Sequence, residues 1–151
     1  MNRIEYIDSF RKNHEKLSTA GQPTELEFKL VADEGFEVVI NIRPESEMLD
    51  LFDERSIVEE LGLTYFQIPV TLDTLNKEIL SKYFELMEQE KEKKIFLHCR
   101  KNVRVPIILT LYKIIKLDFG KDEALNWLRG EVDVNPMLED FIDFHIQNYS
   151  E

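Results

Sequence analysis

Three short runs stand out as apolar against a polar background: Phe36-Glu-Val-Val-Ile-Asn-Ile42, Leu63-Thr-Tyr-Phe-Gln-Ile-Pro-Val70 and Lys94-Ile-Phe-Leu-His98. Each is rich in β-branched or aromatic residues, which predicts a strand. A fourth strand is expected near Lys16 to Ala20. Between the runs the spacing of apolar residues turns helical. Thr24-Glu-Leu-Glu27 has the order of a capping box, with Pro23 before it and Gly35 as a stop. A second helix is expected over much of Ser46 to Leu61, ending at Gly62. In Asp73 to Lys91, the residues Leu75, Ile79, Leu80, Tyr83, Phe84 and Met87 mark one face of an amphipathic helix. Pro106 to Ile115 is apolar almost all round, as in a helix buried mid-domain, and proline suits its first turn. Two further helices are expected at Lys121 to Arg129 and Pro136 to Asn148, with a turn near Gly130.

Strands alternating with helices imply right-handed βαβ units and a parallel sheet, whose ligands bind beyond the carboxyl ends of the strands. The fold class expected is α/β, a single domain over residues 1–151 with about four mainly parallel strands flanked by helices. Arg43 follows the first of the three runs, Asp73 comes shortly after the second, and His98-Cys99 through Arg104 follows the third. A nucleophile, an acid and two guanidinium groups therefore converge on one sheet edge.

The net charge of -11 narrows the partners: a nucleic-acid backbone or an anionic membrane would be repelled except at a local basic site. The N-terminal segment from Met1 to Asp8 is interrupted by acids, and no apolar run approaches membrane-spanning length. One cysteine cannot form an internal disulfide, which fits a reducing compartment, with the cytoplasm as the expectation. His14, His98 and His145 lie in unrelated contexts without a metal-ligand spacing, so neither a metal nor another cofactor is expected. Asp118-Phe-Gly120 reads as a helix stop, since nothing else of a kinase accompanies it.

The stretch His98-Cys-Arg-Lys-Asn-Val-Arg104 carries the candidate chemistry. A strand that ends in cysteine and turns at once into a helix places the sulfur beside unpaired amides, which favour a thiolate or a bound oxyanion. Arg104 adds a planar fork matched to phosphate oxygens. Arg100, Lys101, Asn102 and Val103 would complete the cradle, with Arg43 as a second cation. Plainer roles stand beside these: Cys99 as a small buried hydrophobe, His98 as a core histidine bonded to backbone, Arg100 and Lys101 as solvated charges, Arg43 as a turn cap.

Four segments in order carry a family resemblance: Leu17-Ser-Thr-Ala-Gly-Gln-Pro-Thr24, Val38-Val-Ile-Asn-Ile-Arg-Pro44, Gly62 to Val70, and His98-Cys99 through Arg104. Together they resemble the phosphatase-like domain of the β-lactamase-hydrolase-like proteins, a bacterial branch of the cysteine-dependent, dual-specificity-like phosphatases. The resemblance implies a four-stranded parallel sheet with Cys99 as nucleophile, Arg104 as phosphate clamp, the loop between them as cradle, and Asp73 in the place of the general acid. The chain also departs from the commoner tyrosine phosphatases. Four residues instead of five separate Cys99 from Arg104, a count shared with rhodanese-like sulfurtransferases. Asn102 replaces a glycine that would permit positive φ, and asparagine is the next most tolerant residue there. Val105 stands where many phosphatases carry a hydroxyl.

The leading expectation is a phosphatase acting on a phosphorylated protein or small molecule, with Cys99, Arg104 and Asp73 catalytic and His98 supporting. A sulfurtransferase carrying a persulfide on Cys99, and a non-catalytic anion-binding module, are the alternatives. Asp73 has a competing structural role as a helix N-cap for Thr74 to Lys77.

Overall fold

In a computed structural model, which describes residues 3–150, the apolar runs form the centres of parallel strands. Met1, Asn2 and Glu151, the ends of the 1–151 unit expected above, lie outside the described residues. The strands are β1 (Arg11–His14), β2 (Leu17–Ala20), β3 (Val38–Asn41), β4 (Thr64–Gln67) and β5 (Ile95–His98), in the spatial order β1-β2-β5-β3-β4. All neighbours run parallel except β1, which pairs antiparallel with β2. Five strands thus replace the expected four. Arg11-Lys-Asn-His14 has no apolar residue to mark it, and its polar side chains suit a sheet edge that faces water.

Alternate strand residues feed two apolar layers, as the two-residue strand period requires. Leu17, Val38, Ile40, Ile95 and Leu97 pack on one face with Leu80 and Phe84 of α3 (Lys77–Glu90) and Ile108 of α4 (Arg104–Ile115). The other face joins Ala20, Val39 and Phe96 to Phe28 and Val31 of α1 (Glu27–Asp33) and Val58 of α2 (Glu54–Glu60). Helices α5 (Lys121–Arg129) and α6 (Pro136–Ser150) add Leu125, Leu128 and Ile142 to the first layer. No helix among the described residues is long and apolar enough to cross a membrane.

Helix ends follow the local chemistry. The capping box at α1 is reciprocal: Thr24 N–H donates to Glu27 Oε1 at 2.8 Å, and Glu27 N–H donates to Thr24 Oγ1 at 3.2 Å. The helix expected over Ser46 to Leu61 is shorter. Pro44 opens a single 3₁₀ turn at Glu45–Glu47, and α2 starts only after Asp53, whose carboxylate accepts from Ser56 N–H. Asn76, not Asp73, caps α3, accepting from Ile79 N–H at 2.8 Å. The apolar helix begins at Arg104, with Pro106 in its first turn and every residue from Val105 to Tyr112 buried.

Strand β5 lies between β2 and β3, and the registers Ala20↔His98 and Asn41↔His98 bring three carboxyl ends level. Gly21, Ile42 and Cys99 leave the sheet side by side, fastened by Cys99 N–H to Ala20 O at 3.3 Å and Ile42 N–H to His98 O at 3.1 Å. Gln22 N–H donates to Arg100 O at 2.9 Å, and a Cβ built on Gly21 would stand 2.6 Å from that same oxygen. Only glycine permits this approach. Gly21→Ala is therefore expected to lose about 1–3 kcal/mol in denaturant unfolding, the range for overpacking. Gly130→Ala, at φ -77 with its new Cβ 3.4 Å from the nearest atom, should be neutral or gain about 0.4–1 kcal/mol.

Candidate active site

From Cys99 the chain turns through Arg100, Lys101, Asn102 and Val103 into α4. Asn102 sits at φ 57, the left-handed conformation anticipated for the residue in glycine's place. Its side chain stabilises the bend by donating from Nδ2 to Ser9 O at 2.8 Å and Thr19 Oγ1 at 3.0 Å. The amides of Arg100, Lys101 and Val103 have no hydrogen-bond acceptor among the described residues, the arrangement of an anion nest. The Cys99 side chain lies inward of this loop, 1% exposed and packed in the layer that holds Val70 and Val105.

Arg104 is gripped from one side. Its Nη1 donates to Glu47 Oε2 at 3.0 Å and to Val70 O at 2.8 Å, and its Nη2 donates to Glu47 Oε1 at 2.7 Å. A guanidinium has five N–H groups along two usable edges, so the Nε/Nη2 edge keeps free donors while the Nη1/Nη2 edge is tied down. Partial burial pushes the Glu47 carboxyl up, but the Arg104 and Arg43 guanidiniums more than offset this and hold it below the usual glutamate range. Arg43 is 4% exposed and braces the same acid, donating from Nε to Glu47 Oε1 at 3.3 Å and from Nη2 to Glu47 O at 2.6 Å. Its Nη1 reaches Gln22 Oε1 at 2.8 Å.

Beneath the loop lies a second layer of polar groups. His98 is fully buried, with Nε2 2.7 Å from Glu54 Oε2 and Nδ1 3.0 Å from Cys99 O. The bond to backbone is the role read for this histidine in the sequence; the acid is an addition. Glu54 accepts further from Gln22 Nε2 at 2.7 Å and from Tyr65 O–H at 3.0 Å. Both carboxylate oxygens accept hydrogen bonds, and both imidazole nitrogens face oxygens. Burial raises the Glu54 carboxyl, and the His98 charge and these hydrogen bonds more than reverse it. Burial and the Glu54 charge push the Tyr65 phenol well up, keeping it a donor. Asn41 Nδ2 donates to Tyr65 Oη at 3.0 Å, while Asn41 Oδ1 accepts from Arg43 N–H at 2.8 Å.

The structure thus gathers Arg43, His98, Cys99, Asn102 and Arg104 at one edge. Arg100 and Lys101 project into solvent at the rim, and Val103 is 47% exposed. Asp73 is exposed in the turn after β4, three residues beyond the Val70 carbonyl that receives Arg104. Its carboxylate makes no hydrogen bond among the described residues, where the turn is held instead by Thr71 and Thr74. No group of three or more acidic, histidine or cysteine side chains among the described residues is placed to hold a metal. Sequence reasoning missed Glu47 and Glu54 altogether. Gln22 and Asn41 were visible within the matched segments, but nothing in them announced a partner.

No family model matches the chain. Among curated proteins it is 29% identical over 150 residues to the β-lactamase hydrolase-like protein of Agrobacterium fabrum, covering 86% of this chain. The match covers 34% of that relative, so the chain spans about a third of its length. Among solved structures, a DUF442 protein of Shewanella putrefaciens described as a candidate phosphatase superposes with a TM-score of 0.78 at 25% identity, over 97% of this chain and 96% of that one. Kinase-associated phosphatase, solved with serine in place of its catalytic-site cysteine, gives a TM-score of 0.74 at 11% identity, over 89% of this chain and 88% of that one. This is the fold of the cysteine-dependent phosphatases. The β-lactamase-hydrolase-like resemblance read from the four sequence segments agrees with the curated relative, and the phosphatase-fold edge is where those segments meet.

Removing one partner of the buried pair tests its weight in this phosphatase fold. Glu54→Gln is expected to destabilise the chain by about 1–3 kcal/mol near pH 7, since its amide N–H groups would face buried donors that now meet a carboxylate oxygen. The folded carboxyl of Glu54 lies below its ordinary value, so its stabilisation is present above about pH 4.3 and is lost as pH falls through the depressed value. Urea midpoints of the two proteins should therefore draw together as pH falls through that depressed value.

Proposed function

We propose that the chain is a cysteine-dependent phosphatase that hydrolyses a phosphate monoester through a phosphocysteine. The observation that carries this reading is the loop itself. Cys99 directly follows the central parallel strand, Asn102 turns the chain at φ 57, and Arg104 opens the buried helix with one guanidinium edge fixed by Glu47. Free amides and a fixed arginine suit three phosphoryl oxygens. In the first step the Cys99 thiolate bonds to phosphorus as the ester P–O bond breaks, and Asp73 gives its proton to the departing oxygen. In the second, water attacks phosphorus, the Asp73 carboxylate takes a water proton, and the P–S bond breaks to return thiolate and inorganic phosphate. Arg43 acts through Glu47, and His98 steadies the Cys99 carbonyl and with it the start of the loop.

A second reading is an anion-binding module without turnover. The 1% exposure of Cys99 and the valine at position 105, which offers no hydroxyl to the departing thiolate, favour it. Phosphate release from an aryl phosphate, run beside thiocyanate release from thiosulfate and cyanide, separates the phosphatase, the sulfurtransferase and the silent module. Phosphate release abolished by Cys99→Ser is the expected result. Asp73→Asn should slow phenyl phosphate by roughly 10²-fold or more while sparing a nitrophenyl ester, because a good leaving group needs no proton. Thermal stability should be unchanged, since Asn76 and not Asp73 caps α3. Equal slowing of both esters would remove Asp73 from the mechanism. Arg104→Ala should also abolish protection of Cys99 from alkylation by sulfate or vanadate.

A further inference from the structure

A cavity of about 500 Å³ opens at the opposite end of the sheet from Cys99. Its lining includes Leu17 and Ile95, the first residues of β2 and β5, so it lies a strand's length, roughly 13 Å, from the carboxyl edge. The volume falls within the range of about 300–1,000 Å³ that small-molecule sites occupy. Its walls are mainly apolar, with Leu109 and Tyr112 from α4, Leu117 and Phe119 from the turn after it, and Trp127 from α5.

The polar groups at its mouth are not equivalent. Lys91 pairs with Glu88 at 3.4 Å, and Lys16 donates to Glu92 O at 2.9 Å. Tyr112 O–H is spent on Glu88 Oε1 at 2.6 Å. Lys113 differs: its ammonium lies 3.3 Å from the centre of the Trp127 ring and 5.6 Å from that of Phe119, and it hydrogen-bonds to no carboxylate among the described residues. Burial lowers its pKa, and the more distant Glu131 and Glu123 charges only partly oppose that. A second unspent group is Asn13 Oδ1, buried in the same lining without a hydrogen-bond partner among the described residues. A half-buried cation resting on an indole face, in an apolar cavity of a chain with net charge -11, is the local exception to that charge. It would gain from an anion that brings its own apolar body.

We propose that this cavity binds a small organic acid, with an aromatic or branched apolar body against Leu109, Leu117, Phe119 and Trp127 and a single carboxylate on the Lys113 ammonium. Asn13 Oδ1 would accept from a hydroxyl or N–H on that body. The site is independent of any role for Cys99. Trp127 is the sole tryptophan and stands in the wall, so its emission reports occupancy directly. The full chain is titrated with 3-phenylpropionate and, in parallel, with uncharged 3-phenylpropanol, and calorimetry gives the stoichiometry. Saturable one-to-one binding of the acid, at least about tenfold tighter than the alcohol, is expected. Lys113→Met should erase that preference while leaving alcohol binding intact, and Lys113→Arg should restore it. Acid and alcohol binding equally well, a preference that survives Lys113→Met, or no saturation by either compound would overturn the assignment.

Discussion

A buried carboxylate organises the edge where the chemistry is expected. Glu54 enters from α2, outside the sheet, and ties together Gln22 after β2, His98 at the end of β5 and Tyr65 in β4. Desolvating a carboxylate costs several kcal/mol, which is recovered only when its lone pairs are used. Here Tyr65 and Gln22 supply the extra donors. The result is a constraint on direction more than a source of stability: His98 holds the Cys99 carbonyl, and the chain can leave β5 along one path only.

A second acid, Glu47, does for Arg104 what Glu54 does for His98. The 3₁₀ turn after Pro44 carries Glu47 to where it accepts from two arginines that lie far apart in sequence. Three of the five Arg104 N–H groups point at fixed acceptors, so the orientation of the remaining edge is set before any ligand arrives. Such preorganisation is what the proposed anion site would need in a chain carrying eleven excess negative charges. The exposed Arg100 and Lys101 side chains add to the positive rim.

Helix α4 links the two ends of the molecule. Its first residue is Arg104, and its buried middle packs under the sheet. Farther along, Leu109, Tyr112 and Lys113 line the cavity at the opposite end. One apolar helix therefore borders both the cysteine loop and the cavity, and it can do so because almost every side of it is covered.

Much of this was legible in the chain. The apolar runs gave three strands within a residue or two at most ends, because β-branched and aromatic runs fit a sheet buried on both faces. Gly35 and Gly62 ended their helices at φ 88 and φ 89, and Asn102 adopted the left-handed turn that its residue type permits. The cysteine, the arginine and the order of the matched segments pointed to the phosphatase fold because that signal is local and covalently spaced. Three features were decided only in three dimensions. β1 is polar throughout and is a strand only because β2 offers it an edge. The cap that competed with catalysis as the reading of Asp73 falls to Asn76, which accepts from Ile79 N–H at the start of α3. Glu47 and Glu54 were two among 30 acids, and no local pattern distinguishes the glutamate that meets a distant arginine or histidine from one that meets water. Local propensity acts over a few residues and leaves its mark in the sequence, whereas a polar contact spanning 44 or 57 positions exists only once the sheet has set the register.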